Sequence, residues 1–437
     1  MFRTARLAGL IEKSHIKYRD FNSDRELKTF GVSNTEGITR TTHRRSDDLD
    51  DYLVIQPGSI AYNPYRVNVG SIGLTPDGVY GLVSPAYVVF RAKKRELVPE
   101  VLLDFLKSSE GLRQINNLAR GTVRKALRFD DLCKIDFPII PYDQQLNILE
   151  RKQNFNQQHR RLLSEITRQE TLLEKLKLAI LQDAIQGKLT AAWRKENPEV
   201  EPASQLLERI RKEKQFLIAE KKLRKEKLLP PINPEEIPFE IPESWQWCRL
   251  GEIARHSLGK MLDKVKNKGE LMLYLRNLNV QWFSFQLHNL NHMRFEGHEL
   301  EKYTVERDDV VICEGGYPGQ AAIWERDEPV MFQKALHRVR FISRSLDSRL
   351  FVYFLKLADG AGFLSTYFTG AGIKHFTGNS LHRFLTPLPP QAEQAIIIER
   401  IEALMDSCRQ LEAEIKQSRS QAENLLRAVL KEAFTPA

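Results

Sequence analysis

The 437-residue sequence predicts an α+β fold of two globular heads, each followed by a long helix. Three observations predict it: an internal repeat at a fixed offset, a heptad pattern closing each copy, and short strand-like runs between glycine turns within each head.

The repeat is the strongest of the three. Displaced by 249 residues, the chain aligns with itself without a gap over a long stretch. Pro138 falls on Pro387, Pro141 on Pro390, Gln145 on Gln394, and Glu150-Arg151 on Glu399-Arg400. The register extends backwards through Lys125 on Lys374, Gly121 on Gly370 and Gly70 on Gly319. Self-similarity at a fixed offset means one structural unit built twice. The helical parts stay similar while the heads diverge, as expected of related frames that face different ligands.

The helices follow from periodicity. Phe155, His159, Leu162, Ile166, Gln169, Leu173, Leu176 and Ile180 alternate steps of four and three. Ile397, Ile401, Leu404, Cys408, Leu411, Ile415, Ser418, Ala422, Leu425 and Val429 do the same. This is a heptad seam, and neither run contains Pro or Gly. Leu162, Ile166, Leu173, Leu176 and Ile180 are therefore expected to meet Leu404, Leu411, Ile415, Leu425 and Val429, because a lone seam would leave leucines in water. His159, Gln169, Cys408 and Ser418 either fix the register or are simply tolerated.

The heads carry short strand-like runs, Leu53–Ile60, Tyr87–Arg91, Val310–Cys313 and His337–Ile342, separated by glycine-bearing turns. Domain boundaries follow: a first head at 1–140, its helix at 141–190, a linker at 191–241, a second head at 242–389 and its helix at 390–437. The linker holds a charged helix from about Ala203 to Lys227 and a cluster of five prolines, read as a semi-rigid strap. Glutamates interleave with the basic residues of that helix, so a solvated, self-paired helix is expected ahead of a phosphate-binding one.

Lys and Arg exceed Asp and Glu by nine, which favours a polyanionic partner. The four cysteines form no CxxC pair and sit at no ligand spacing from histidine, so neither a zinc site nor a disulfide framework is expected. No apolar run is long enough to cross a membrane, and a cytoplasmic location is expected. Motifs for catalysis are missing. Asn63-Pro64-Tyr65 lacks the second proline of an adenine-gripping methyltransferase loop and has no glycine-rich cofactor loop nearby. Asp308-Asp309 and Glu314 lack the Glu-x-Lys of a metal-dependent nuclease. The chain is expected to hold no cofactor or metal and to have no catalytic site.

What the heads do offer are loops of glycine, amide and basic residues. Glycine lets backbone approach phosphate, Lys and Arg neutralise it, and Asn, Gln and Arg pair with base edges. The candidates for DNA contact are Asn63, Tyr65, Arg66, Asn68, Arg120, Arg124 and Lys125 in the first head. In the second they are Tyr317, Gln320, Lys374 and His375.

The motifs now in hand resemble those of the type I restriction–modification DNA-specificity (HsdS) subunits. The resemblance rests on two helix openings, Pro-Ile-Ile-Pro-Tyr-Asp-Gln-Gln (138–145) and Pro-Leu-Pro-Pro-Gln-Ala-Glu-Gln (387–394). It rests also on the helix exit Gly-Lys-Leu-Thr-Ala-Ala-Trp-Arg (187–194), the head opening at 241–253 and the loop at 62–73. The resemblance implies that the heads are target-recognition domains, each reading half of a split, asymmetric sequence in double-stranded DNA. It implies an antiparallel coiled coil of the two helices, serving as a ruler, and a pseudo-twofold repeat. It implies two methyltransferase subunits carrying S-adenosylmethionine and restriction–translocase subunits using ATP and Mg as partners. Trp-Gln-Trp-Cys-Arg-Leu, which opens the second head, finds no counterpart in residues 1–12, so the first head is expected either to begin differently or to belong to a divergent recognition class. An enzyme acting alone on DNA, or a coiled-coil scaffold with peptide-binding heads, are the competing readings.

Overall fold

The computed structural model describes residues 3–21, 27–41, 48–121, 125–225, 229–263, 265 and 267–432, with side chains described as far as residue 425. The chain divides into two units, Met1–Arg168 with Ile415–Ala437, and Gln169–Glu414.

In the first unit β1 (Thr4–Arg6), β2 (Ile11–Lys13), β3 (Lys28–Ser33), β4 (Gly37–Arg40), β5 (Leu53–Ile55), β6 (Ser59–Tyr62), β7 (Ile72–Leu74), β8 (Gly81–Val83) and β9 (Val88–Ala92) come first. The helices α1 (Pro99–Lys107), α2 (Ser109–Leu118) and α3 (Phe129–Leu132), the strand β10 (Asp136–Pro138) and the long helix α4 (Tyr142–Ile185) follow. Two four-stranded sheets form, in the orders β2-β9-β6-β7 and β4-β3-β8-β5. The strand β6 is buried on both faces, and its two-residue side-chain period sorts it between two cores. Ile60 and Tyr62 join the core that includes Val101, Leu102 and Phe105 of α1, whereas Ala61 joins Ile55, Val83 and Val89. The first sheet is thus covered by helices on one side and by the second sheet on the other. Leu53–Ile60 is two strands rather than one: residues 56–58 turn the chain from β5 in one sheet to β6 in the other.

The second unit repeats this plan. After α5 (Ala191–Glu196) and α6 (Ala203–Ala219) come β11 (Gln246–Arg249), α7 (Leu250–Ile253), β12 (Ala254–Leu258), β13 (Glu270–Leu275), β14 (Val280–Gln281), β15 (Ser284–Phe285), β16 (Asn291–Phe295), α8 (Leu300–Tyr303) and β17 (Thr304–Val305). Then follow β18 (Val310–Cys313), β19 (Ala321–Ile323), β20 (Val330–Phe332), β21 (Leu336–Phe341), α9 (Ser348–Gly360), α10 (Gly378–Arg383), β22 (Leu385–Leu388) and the long helix α11 (Gln391–Glu432). The sheets run β12-β21-β18-β19 and β16-β13-β20-β17. Each second sheet has a parallel pair at the matching place, β3 with β8 and β13 with β20. The strand β18 again faces two cores, Val310 and Ile312 one way and Val311 and Cys313 the other.

The expectation that the first head begins differently is corrected. The strand β1 pairs antiparallel with β10 as β11 pairs with β22. Arg6-Leu7 stands where Arg249-Leu250 stands, and both leucines are fully buried. The counterpart is hidden in the sequence because the tryptophans are missing and the offset at that end is shorter, the second head being longer between β13 and β16.

The linker is bound to the second head over much of its length. Ala203, Leu206, Leu207 and Ile210 of α6 are buried in that head's core. The fully buried Arg249 donates from Nε and Nη2 to the carbonyls of Pro230 and Pro231 at 2.9 and 3.0 Å and pairs with Glu236. The proline strap is therefore fastened, and α6 is half core and half solvated, not charged and solvated all round.

One buried glutamine sets each long helix against its head. Gln145 accepts from the N–H of Val98 at 2.8 Å and donates to the carbonyl of Ile140 at 2.8 Å. Gln394 accepts from the N–H of Asp347 at 3.0 Å and donates to the carbonyl of Pro389 at 3.2 Å. Val98 and Asp347 are the residues that cap α1 and α9, and both sets of partners obey the 249-residue offset. Helix N-termini leave backbone N–H groups without intrahelical partners, and near these caps the carboxamide takes up one of them.

Within each unit α4 and α11 run antiparallel. In the first, His159 Nε2 lies 3.0 Å from the carbonyl of Ala422, and Arg419 donates to Thr167 at 3.0 Å. In the second, Lys177 pairs with Glu412 at 2.7 Å, while Arg400 donates to the carbonyl of Leu189. The phase of the seam differs from the expected one. Ile166, Leu173 and Ile180 are buried and Ile415 is half-buried, but Leu162, Leu176, Leu404, Leu411 and Leu425 are exposed. The half-buried positions fall one residue later than the expected seam, at Leu163, Glu170 and Lys177 on α4 and at Met405 and Arg419 on α11. Long charged side chains can line such a seam by laying their stems along it and pairing their heads at its margin. The side chain of Val429 lies outside the described residues.

Candidate nucleic-acid interface

Each head builds its candidate site from three segments that the sequence keeps far apart. In the first head the loop joining β6 to β7 holds Asn63, Tyr65, Arg66 and Asn68. Leu127, just after the Arg120–Ala126 bridge, donates its N–H to the carbonyl of Pro64 at 3.0 Å. The buried Tyr62 hydroxyl donates to the carbonyl of Leu127 at 3.2 Å, and burial pushes its pKa up. The tight turn between β3 and β4 completes the site, with Ser71 donating to the carbonyl of Val32 at 2.7 Å.

Sorting the predicted residues by what their side chains do divides them. Tyr65 is 57% exposed, and Arg66, Asn68 and Lys125 are exposed beside it. Asn63 is spent on the fold, since its side-chain oxygen accepts from the N–H of Tyr65 at 3.0 Å and shapes the turn. Arg120 is exposed but pairs with the buried Asp131 at 2.9 Å. A hydrogen bond from Lys134, aided by the Arg120 charge, holds that carboxyl below the usual carboxylate range. Arg124 lies outside the described residues.

The second head repeats the convergence. The loop joining β18 to β19 holds Tyr317 and Gln320, and the hairpin closed by the Thr369–His375 bridge holds Lys374. Phe376 N–H donates to the carbonyl of Glu314 at 2.8 Å, bringing these two segments together. Tyr317 is 62% exposed, and Lys374 is exposed. The His375 ring is half-buried against Gly315, where a Cβ would lie 3.1 Å from it. Gln320 turns its amide inward and donates to the carbonyl of Val280 at 2.6 Å, so that amide is committed to the fold. Gly70 and Gly319, equivalent by the repeat, share a φ of +89°, so both loops turn through the same left-handed residue.

The third segment of the second head escaped the sequence reading. Arg276, Gln281, His288 and Asn289 line a cleft of about 500 Å³ together with Tyr317 and Gln320. Strand spacing alone hides them, because the segment carries no charge cluster or glycine motif. Among the described residues no group of three His, Cys, Asp or Glu side chains is placed to hold a metal ion. No helix among them is long and apolar enough to cross a membrane.

The heads therefore present loops rich in amide, aromatic and basic groups on rigid sheets, a surface suited to hydrogen-bonding a polyanion and its bases. Residues 242–418 match the family model described as type I restriction modification DNA specificity domain. Over 259 residues the chain is 31% identical to the type I restriction enzyme EcoAI specificity subunit of Escherichia coli, a match covering 57% of this chain and 43% of that protein. It is 28% identical over 260 residues to the EcoEI specificity subunit of the same species, again covering 57% and 43%. The chain thus spans less than half the length of these two relatives. The fold is similar to a chain solved in work on complex assembly and conformational transition of the type I R-M system, with TM-score 0.61, 17% identity, and 99% and 97% of the two chains covered. It is similar also to the HsdS subunit from Thermoanaerobacter tengcongensis, with TM-score 0.56, 17% identity, and 99% and 96% covered.

Proposed function

We propose that this chain, whose residues 242–418 belong to the type I restriction modification DNA specificity domain family, is the DNA-specificity subunit of a type I restriction–modification complex. The observation that carries this reading is the same three-segment site in both heads, built on one frame and lined by different side chains. Two such heads read two different half-sites, so the target is bipartite and asymmetric. Lys125 and Lys374, each one residue before its segment's closing bridge, neutralise backbone phosphates. Arg66, Asn68, Tyr65 and Tyr317 stand where groove edges are met.

The chain itself contributes recognition and no reacting group. Methylation and cleavage belong to partners: two methyltransferase subunits with S-adenosylmethionine, and restriction–translocase subunits with ATP and Mg, working in the cytoplasm. The test is genome-wide adenine methylation in cells carrying the chain with its neighbouring methyltransferase, against cells lacking the chain. A split motif that appears only with the chain is expected. A methylation pattern independent of the chain overturns the proposal.

A further inference from the structure

The two heads differ most where β3 turns into β4 and β13 leads to β16. In the first head three residues, 34–36, make that connection; in the second it takes fifteen, 276–290. We infer that this insertion is the base-reading element of the second head, with Asn289 and His288 reading base edges in the cleft beside Tyr317. The inference rests on the DNA-specificity reading above and says which side chains determine the second half-site.

The insertion is a built structure. Asn279, 2% exposed, accepts from the N–H of Arg276 at 2.9 Å and donates to the carbonyl of Gln286 at 2.8 Å, tying the two ends of the segment together. The hairpin of β14 and β15 closes its middle. Gln320 holds the carbonyl of Val280, Phe283 N–H donates to the carbonyl of Ala321 at 3.1 Å, and the Phe285 ring packs edge-on against Trp324 at 5.2 Å. A reader must hold its groups still before binding, and this segment is held at three points along residues 320–324, at and around β19.

The lining is what base recognition needs. The cleft contains Arg276, four amides of the insertion, His288 and Tyr317, and no carboxylate. Arg276 is oriented by donating from Nη2 to the carbonyl of Asn289 at 2.6 Å. Asn289, His288 and Gln286 are exposed, and their side chains make no hydrogen bond to the described residues. A phosphate site would gather several cations, whereas neutral donor–acceptor groups around one guanidinium match the pattern of base edges. A carboxamide can meet adenine through two hydrogen bonds, and imidazole and phenol each add one.

The test is selection from randomised duplex DNA by the full chain assembled with its methyltransferase partners, comparing wild type with Asn289→Ala and His288→Ala. Both positions are exposed, and thermal unfolding of each variant checks that the fold is kept. The expected result is a roughly five- to hundredfold loss of discrimination at one base pair of one half-site. The other half-site and the gap between them stay unchanged. An unaltered motif in both variants overturns the inference while leaving the specificity reading standing. Uniformly weaker binding with the motif intact also overturns it, since that is the signature of phosphate contact. A wild-type complex that selects no motif overturns the specificity reading and the inference with it.

Discussion

At the scale of the residue, the chain uses buried polar side chains as fasteners. Glu393, fully buried, accepts from Thr190 and Arg194 at 2.5 Å each and from the Trp245 indole at 2.8 Å. Three separate sequence motifs, the helix exit, the head opening and the helix start, thereby meet at one carboxylate. Gln145 and Gln394 fasten the helix starts in the same spirit. Replacing Gln394 with Ala leaves a buried N–H and a carbonyl unpaired, and is expected to cost about 2–4 kcal/mol. Denaturant midpoints check this, and a loss below about 0.5 kcal/mol would remove the staple from the account. His337 supplies a pH dependence. Burial, aided by the nearby His256, lowers its pKa from 6.5 to about 4. The unfolded chain therefore takes up a proton below pH 6.5 that the folded chain refuses until about pH 4. Stability from the neutral imidazole is full above 6.5 and is lost as pH falls through that window. Between pH 7 and pH 5 the loss is about 2 kcal/mol, and His337→Gln should shrink the stability difference between those two pH values by that amount.

At the scale of the element, the phase of the helix seam decides which leucines matter. Leu173 is 6% exposed and Leu176 44% exposed, though both lie on the expected seam. Leu173→Ala is expected to cost about 2–4 kcal/mol and Leu176→Ala less than about 1 kcal/mol. Equal costs, measured by thermal or denaturant unfolding, would restore the phase read from periodicity. The strands show the same sorting at a period of two, since β6 and β18 each serve two cores with alternate side chains. The largest difference in length between the heads falls between β13 and β16, where the chain leaves the core.

At the scale of the whole molecule, the proposed DNA reading makes the excess of nine basic groups, together with the equivalent Lys125 and Lys374, set affinity on any DNA sequence. Each lysine that neutralises a phosphate releases about one condensed counterion. Lys125→Ala and Lys374→Ala are each expected to weaken binding on all sequences and to lower the slope of log affinity against log salt by about 1. Titrations at several salt concentrations check this, and unchanged slopes in both variants would exclude these lysines from phosphate contact.

The sequence by itself determined the repeat, the two long helices, the α+β heads and the loops that carry Tyr65, Arg66, Lys125, Tyr317 and Lys374. Those features are written in local chemistry: offset identity, heptad spacing, glycine turns. Only the tertiary structure decided that Asn63 and Gln320 serve the fold, because that depends on which backbone groups lie within hydrogen-bond reach of them. It also decided the seam phase. A four–three pattern through Leu162 and one through Leu163 are equally regular, and the choice falls to pairs such as Lys177 with Glu412 on another helix. The cleft around Asn289 was illegible for the same reason. Its members come from segments some forty residues apart, and only the folded sheets bring them to one place.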